Sequence, residues 1–402
     1  MPSTKVASAG LAAGAGGLAW SVQSTNFTAV AGNGYYVNTT SAGITITLPA
    51  TPSVGNSIGI VDYSGTFDTN ALTINPNGNK IESGTASLQL TGDREGVTLN
   101  YIDATQGWLC NSGINEGTDA LSPIIYSVDY LVVAGGGSGA NVTANVSSTG
   151  GGGGAGGMKT GTFTAVSGTT YTITVGEGGA GNSASNVSEK GNQGFSSSIA
   201  GSGLSTISTT GGGAGGGAGG GQEPTSGGSG GGSGDVAPAT GASGTVGEGN
   251  AGGNSSSPSS GGGGGKGAVG QNSPSGSQSG AGGAGSASSI TGSSVTYAGG
   301  GGGGGSSVVT AGAGGTGGGG AGGANLSSGT AGSVNLGGGG GATGAGNGGT
   351  AGTLVSGAGG KGVVILSVPT ASYSGTSTGS PTITTSGSNT ILKFTGTGSY
   401  TG

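Results

Sequence analysis

Asp93 and Glu95 are two carboxylates two residues apart, a spacing that puts both on one face of a strand, where a glycosidase could use them as an acid–base pair. Their setting over residues 92–96, Gly-Asp-Arg-Glu-Gly, reads instead as a solvated turn with Arg94 between them. Val175 precedes Gly-Glu-Gly-Gly-Ala-Gly, which matches the dinucleotide fingerprint. That fingerprint needs a following helix whose N-terminus holds the pyrophosphate, and residues 182–188 are poor helix material. Residues 261–267 superficially resemble a phosphate-binding loop. Position 260 is Ser where the first Gly is required, however, and Gly267 stands where a hydroxyl would bind magnesium. Composition removes most of the remaining chemistry. The 402 residues contain no histidine, which excludes Ser-His-Asp, Cys-His and His-ligated zinc arrangements. The lone Cys110 can neither close an internal disulfide nor build a thiolate metal site. No catalytic residue, metal ligand or cofactor site is expected, and the chain reads as a non-enzyme.

Charge narrows the partners. Eight Lys or Arg residues are scattered singly and the net charge is −6. A nucleic-acid surface needs a basic stripe that neutralises several phosphates, so nucleic acid is not an expected partner. No run of strongly apolar residues is long enough to span a bilayer, and membrane insertion is not expected either. The first 25 residues form a small-residue arm with the order of a signal peptide. Its apolar stretch is Ala and Gly rather than Leu, Ile or Val, which argues against that reading.

Residues 26–117 read as a small β-sandwich or barrel that serves attachment and oligomerisation. Ile44, Ile46 and Leu48 alternate with Thr45 and Thr47, the period of a half-buried strand. Similar short apolar runs recur at roughly ten-residue spacing between Gly-, Asn- and Pro-rich turns. Residues 118–368 are dominated by glycine, 110 of which occur in the whole chain, in runs such as 150–157, 211–221, 261–265, 299–305 and 337–341. A flexible linker is the simplest reading of that composition. Two features oppose it: the runs lie between apolar strands at 128–134 and 362–368, and Phe163, residues 171–175, Phe195, Tyr297 and Val308 recur inside. The alternative is a bundle of polyglycine II helices. These are extended, make no internal hydrogen bonds, and approach closely enough to bond each other only where no Cβ intervenes. Residues 369–402 return to β-like alternation as a short C-terminal β segment, so the fold class is mainly β.

The motifs Ser-Val-Asp-Tyr-Leu-Val-Val-Ala-Gly-Gly-Gly at 127–137 and Gly-Lys-Gly-Val-Val-Ile-Leu-Ser-Val at 360–368 resemble the glycine-rich domain of bacteriophage tail proteins. Residues 376–400 look like the β segment that often follows that domain. Residues 34–49 and 60–67 are similar to a β-module of tail fibres in marine phages, including cyanophages. The resemblance implies a virion structural protein of the tail, extracellular, acting as a receptor-binding adhesin in host attachment. It implies other tail proteins and a host polysaccharide or outer-membrane protein as partners, and a homotrimer as the assembly. An N-terminal β-module of its own departs from the best-known enterobacterial adhesins. Side chains able to contact a receptor gather in the polar inserts between glycine runs, at Gln222, Glu223, Thr225, Asp235, Thr240, Gln271, Asn272 and Ser275. Proline in these inserts lowers the entropy lost on binding. The bland reading of each insert is chain reversal. Competing functions are a non-adhesive virion component, an ice-binding protein, a matrix or silk-like filament, and a tail-spike depolymerase. Uneven inserts, terminal β-modules and scarce acids argue against the last three in turn.

Overall fold

A computed structural model describes residues 17–113, 122–142, 148–183, 188–219, 222–235, 240–345 and 354–402. The chain divides into two compact units: residues 1–125 with 166–168, and residues 126–165 with 169–402.

The first unit is a two-sheet sandwich with an unusual winding. The strands are β1 (Ala19–Gln23), β2 (Phe27–Thr28), β3 (Asn33–Val37), β4 (Ile44–Thr47), β5 (Ser57–Asp62) and β6 (Leu72–Asn75). They are followed by β7 (Leu88–Leu90), β8 (Gly96–Asp103), β9 (Gly107–Gly113) and β10 (Ser122–Pro123). One sheet has the order β1-β3-β5-β8-β9 and the other β10-β7-β6-β4-β2. From β1 to β6 the chain alternates between the sheets and pairs in parallel within each, as a coil. The sheets stay open, so of the two expected forms the barrel is not the one adopted. A coil of this kind leaves β1 and β2 as edges with nothing to close onto. Alternation does what the sequence requires: Ile44, Ile46, Ile58, Ile60, Leu72 and Ile74 point inward with Trp108 and Phe67, all buried. The last residues of the N-terminal arm supply β1.

The second unit joins another sandwich to the glycine runs. Its strands are β11 (Ile125–Val133), β12 (Met158–Val166), β13 (Thr170–Thr174), β14 (Ser197–Gly201), β15 (Leu204–Thr209), β16 (Ser286–Ser288) and β17 (Val295–Tyr297). The C-terminal ones are β18 (Val363–Pro369), β19 (Ser377–Thr378), β20 (Thr382–Ser386), β21 (Asn389–Phe394) and β22 (Gly398–Thr401). The sheets are β12-β11-β18-β21-β20 and β15-β14-β13-β22-β19, with β16 and β17 forming a separate hairpin. Residues 369–402 thus supply strands to both sheets, β21 beside β18 and β22 beside β13. Val128, Val132, Val364 and Leu366 fill the space between sheets with Tyr171, Ile173, Phe394 and Tyr400. Leu131, Val133, Val363 and Ile365 point the other way, onto Met158, Tyr297 and Ala298. β18 and the end of β11 from Leu131 to Val133 are buried on both faces, which is why they read as unbroken apolar runs.

The glycine segments leave one end of this sandwich and return to it: 134–157 join β11 to β12, 175–196 join β13 to β14, and 210–362 join β15 to β18. Among the described residues, the glycine runs in them bond through their backbone groups to other segments with a period of three. Gly136 and Gly139 donate to the carbonyls of Gly360 and Gly357, Gly137 and Ala140 to Gly154 and Gly151, and Gly135, Ser138 and Asn141 to Phe195, Asn192 and Glu189. Segment 151–157 has six such neighbours. It donates to 210–216, 261–264 and 337–340, and accepts from 134–140, 229–232 and Gly301. The segment at 261–264 runs parallel to it and the one at 210–216 antiparallel. Spacing this tight leaves no room for a side chain at Gly152, where a Cβ would land on the carbonyl oxygen of Gly301. Ala140, Ala155, Ala214 and Ala342 mark the interior places where one methyl fits.

Candidate functional site

The bonding directions sort the bundle into two ends. Next to the sandwich lie residues 134, 157, 176, 195, 210 and 362, each flanking a strand. At the far end lie the described residues 142, 148, 182–183, 188–190, 217–219, 222, 235 and 240, and the chain reverses there around residues 254–260, 272–279, 305–310 and 324–328. Every one of the eight sequence-nominated residues lies in a segment that reaches this far end.

Their environments differ. Thr240, Gln271, Asn272 and Ser275 are exposed and belong to one neighbourhood. Asn272 Oδ1 accepts the Asn254 N–H at 2.8 Å, and Asn254 Oδ1 in turn accepts the Gly241 N–H at 2.9 Å. This ladder aligns the segments at 241, 254 and 272 side by side. Ser275 and Ser277 share a hydroxyl–hydroxyl bond of 2.9 Å, and Ser273 Oγ donates to the Ser275 carbonyl at 2.9 Å. Thr310 N–H donates to the Ser277 carbonyl and joins the next reversal to the group.

The insert at 222–226 is less a loop than another packed segment. It runs antiparallel to 211–217, with Gly217 N–H donating to the Gln222 carbonyl and Thr225 N–H to that of Ala214. The Thr225 hydroxyl accepts the Ala214 N–H at 2.8 Å, so its polar group serves the bundle. Gln222 Oε1 accepts the Lys190 N–H at 2.8 Å, which leaves Glu223 as the exposed acid of this insert. Asp235 is 8% exposed and is not offered to solvent. Burial pushes its carboxyl up to about 6 against the opposing effect of bonds from Ser148 and Thr149. Residues 236–239 of that insert lie outside the described residues.

The profile of a family described as a glycine-rich domain matches residues 116–369, more than half of the chain. This chain belongs to that glycine-rich domain family. No curated protein matches it.

Within the glycine-rich domain, reasoning from sequence missed a second side-chain group at the far end. Asn192 Nδ2 donates to Asn182 Oδ1 at 2.6 Å and Asn182 Nδ2 to the Lys190 carbonyl at 2.7 Å, while Gln193 Nε2, nearer the sandwich, donates to the Ser226 carbonyl at 2.7 Å. A signal was present: Asn directly follows a run glycine at 182, 192, 250 and 254. An amide with both donor and acceptor suits a position where the ladder of glycine groups ends and orphan groups begin.

The glycine motifs lie within the hydrogen-bonded glycine segments. Residues 176–181 are extended, with Gly179 N–H donating to the Gly136 carbonyl and Gly176 N–H to Ser197 Oγ. Residues 261–265 pack against 230–233 and 301 in the same way. In the first unit Glu95 is buried, and its carboxylate accepts the Gly92 N–H at 2.6 Å; burial raises its pKa. Asp93 is exposed, so the two acids do not share a setting. Among the described residues no three His, Cys, Asp or Glu side chains cluster as metal ligands do, and no helix is long and apolar enough to cross a membrane.

Proposed function

We propose that this chain is a structural protein of a phage tail, a fibre or adhesin component that takes part in attachment to the host cell. The observation that carries this reading is the sorting of the two ends of the glycine-rich domain. One end continues into a sandwich, and the other presents Glu223, Thr240, Gln271, Asn272 and Ser275 at polar, proline-bearing reversals. We infer that the glycine segments are polyglycine II helices. A pairing partner that recurs every third residue and six neighbours around 151–157 support this, since that helix has three residues per turn and bonds only to its neighbours. A scaffold of this kind commits its backbone to itself, so recognition falls to side chains at its end.

The partner is a host surface polysaccharide or outer-membrane protein, held by weak contacts that gain avidity across several copies. The N-terminal sandwich docks onto other tail proteins and self-associates as a homotrimer. The test is a phage in which Glu223, Thr240, Gln271, Asn272 and Ser275 are all replaced by Gly or Ala. The expected result is trimeric protein by analytical ultracentrifugation, normally assembled tails, and lost adsorption. Unchanged adsorption and host range on intact tails would place recognition elsewhere, and a monomer would remove the trimer.

A further inference from the structure

The first unit carries a cleft that the glycine-rich domain does not involve. It measures about 530 Å³ and is lined by Val22, Tyr36, Val61, Asp62, Tyr63 and Arg94. The sheet's register builds its floor, because Val22, Tyr36 and Val61 stand side by side on β1, β3 and β5. The next row along the same face is Trp20, Gly34 and Gly59. The indole lies across both glycines, where any Cβ would strike its ring, and contacts Tyr36 at 4.8 Å between centroids. Trp20, Val22, Tyr36 and Tyr63 are 43%, 52%, 39% and 51% exposed, in a unit whose other Trp is fully buried. Among the described residues neither Tyr36 nor Tyr63 has a hydrogen-bond partner for its phenol.

Arg94 is the only arginine in the sequence. Its backbone takes a left-handed φ of 58°, a conformation costly for a residue with a Cβ and kept when the surroundings enforce it. Asp62 does the enforcing. Buried beneath the cleft, its carboxylate accepts the N–H groups of Ser64, Gly65, Thr66, Phe67 and Arg94 at 2.8–3.2 Å. The guanidinium then lies at the cleft with one nitrogen bonded to the Tyr63 carbonyl at 3.3 Å and a long 3.9 Å contact to Asp93. Both are weak, and the side chain is 67% exposed.

We infer that this cleft binds an acidic saccharide unit. The apolar faces of a sugar ring stack on exposed aromatic rings, its hydroxyls meet the two free phenols, and a ring carboxylate takes the planar guanidinium fork. The volume lies in the range of small-ligand sites. A second copy of the chain is a poorer occupant, since four exposed apolar side chains around a concave cleft fall well short of the roughly 1,000 Å² that a stable protein interface needs.

Isothermal titration of the full chain with trigalacturonate, and separately with neutral maltotriose, tests this. Trigalacturonate is expected to bind more tightly than maltotriose by about tenfold or more, the scale of a charge-assisted bidentate pair, and to weaken as salt is raised. Arg94→Gly, which suits the positive φ, and Tyr63→Ser are each expected to weaken binding about tenfold, with circular dichroism unchanged. Tyr63→Ser decides the matter if Arg94→Gly unfolds. Absent binding, equal affinity for the two sugars, unaltered affinity in the variants, or a self-associated chain with this face covered would overturn the inference.

Discussion

Asp235 is the one nominated residue that the fold takes out of water, and its chemistry is legible in stability rather than recognition. Its carboxyl is held near 6, against an ordinary value of 3.8, because burial penalises the charged form. Between those two pH values the folded chain holds a proton that the unfolded chain has released. Stability therefore falls as pH rises through that window, and the loss is complete above about pH 6. The full penalty is about 3 kcal/mol. Asp235→Asn is expected to flatten this slope and to raise stability at neutral pH while changing little near pH 4. Urea unfolding of both proteins across that range would check it, and a variant no more stable at neutral pH would contradict the assignment. Thr225 illustrates the same economy. Its hydroxyl looked from the sequence like a contact for a partner, and the fold uses it to accept the Ala214 N–H. Residue type marked these positions as polar; it carried no information about which polar atoms the bundle would consume.

At the scale of elements, the strands were legible wherever alternation is local. Ile44 to Leu48 announce β4 through their period of two, and the apolar runs at 128–134 and 362–368 announce the strands β11 and β18. The parallel coil of β1 to β6 was not legible, because its pairings join residues a dozen or more apart through turns of no fixed type. Nor was the β16–β17 hairpin, whose Ser-Ala-Ser strand has no apolar signal and forms because Tyr297 reaches the cluster around Leu131. The glycine segments were legible as a class, and the physical reason is testable at one position. A Cβ at Gly153 would meet the Gly137 carbonyl, and neighbouring segments on every side prevent either chain from moving away. Gly153→Ala is expected to destabilise the second unit by about 1–3 kcal/mol, the range for overpacking. Gly396→Ala, which meets nothing within 4 Å at a φ open to alanine, is expected to be near neutral. Equal thermal midpoints for the two variants would argue against close packing of the segments.

At the scale of the second unit, the arrangement solves a problem set by composition. With aromatics at 4% of the chain, side chains cannot fill a core along the glycine segments. Ordering glycine is also entropically costly. Backbone hydrogen bonds between segments must offset that cost, at about 1 kcal/mol net apiece, and they do so only if nearly every group is paired. The sandwich supplies apolar anchors at one end, and the asparagine ladders satisfy backbone groups at the other. The account therefore stands on the glycine segments being ordered in solution. Amide hydrogen exchange, read peptide by peptide on the full chain, tests that most directly. The segments at 151–157, 211–217 and 299–305 are expected to exchange as slowly as the strands β11 and β18, in a single cooperative unit, with fast exchange confined to the far-end reversals. Exchange of those glycine segments at the rate of an unstructured peptide, while β11 and β18 stay protected, would contradict the account.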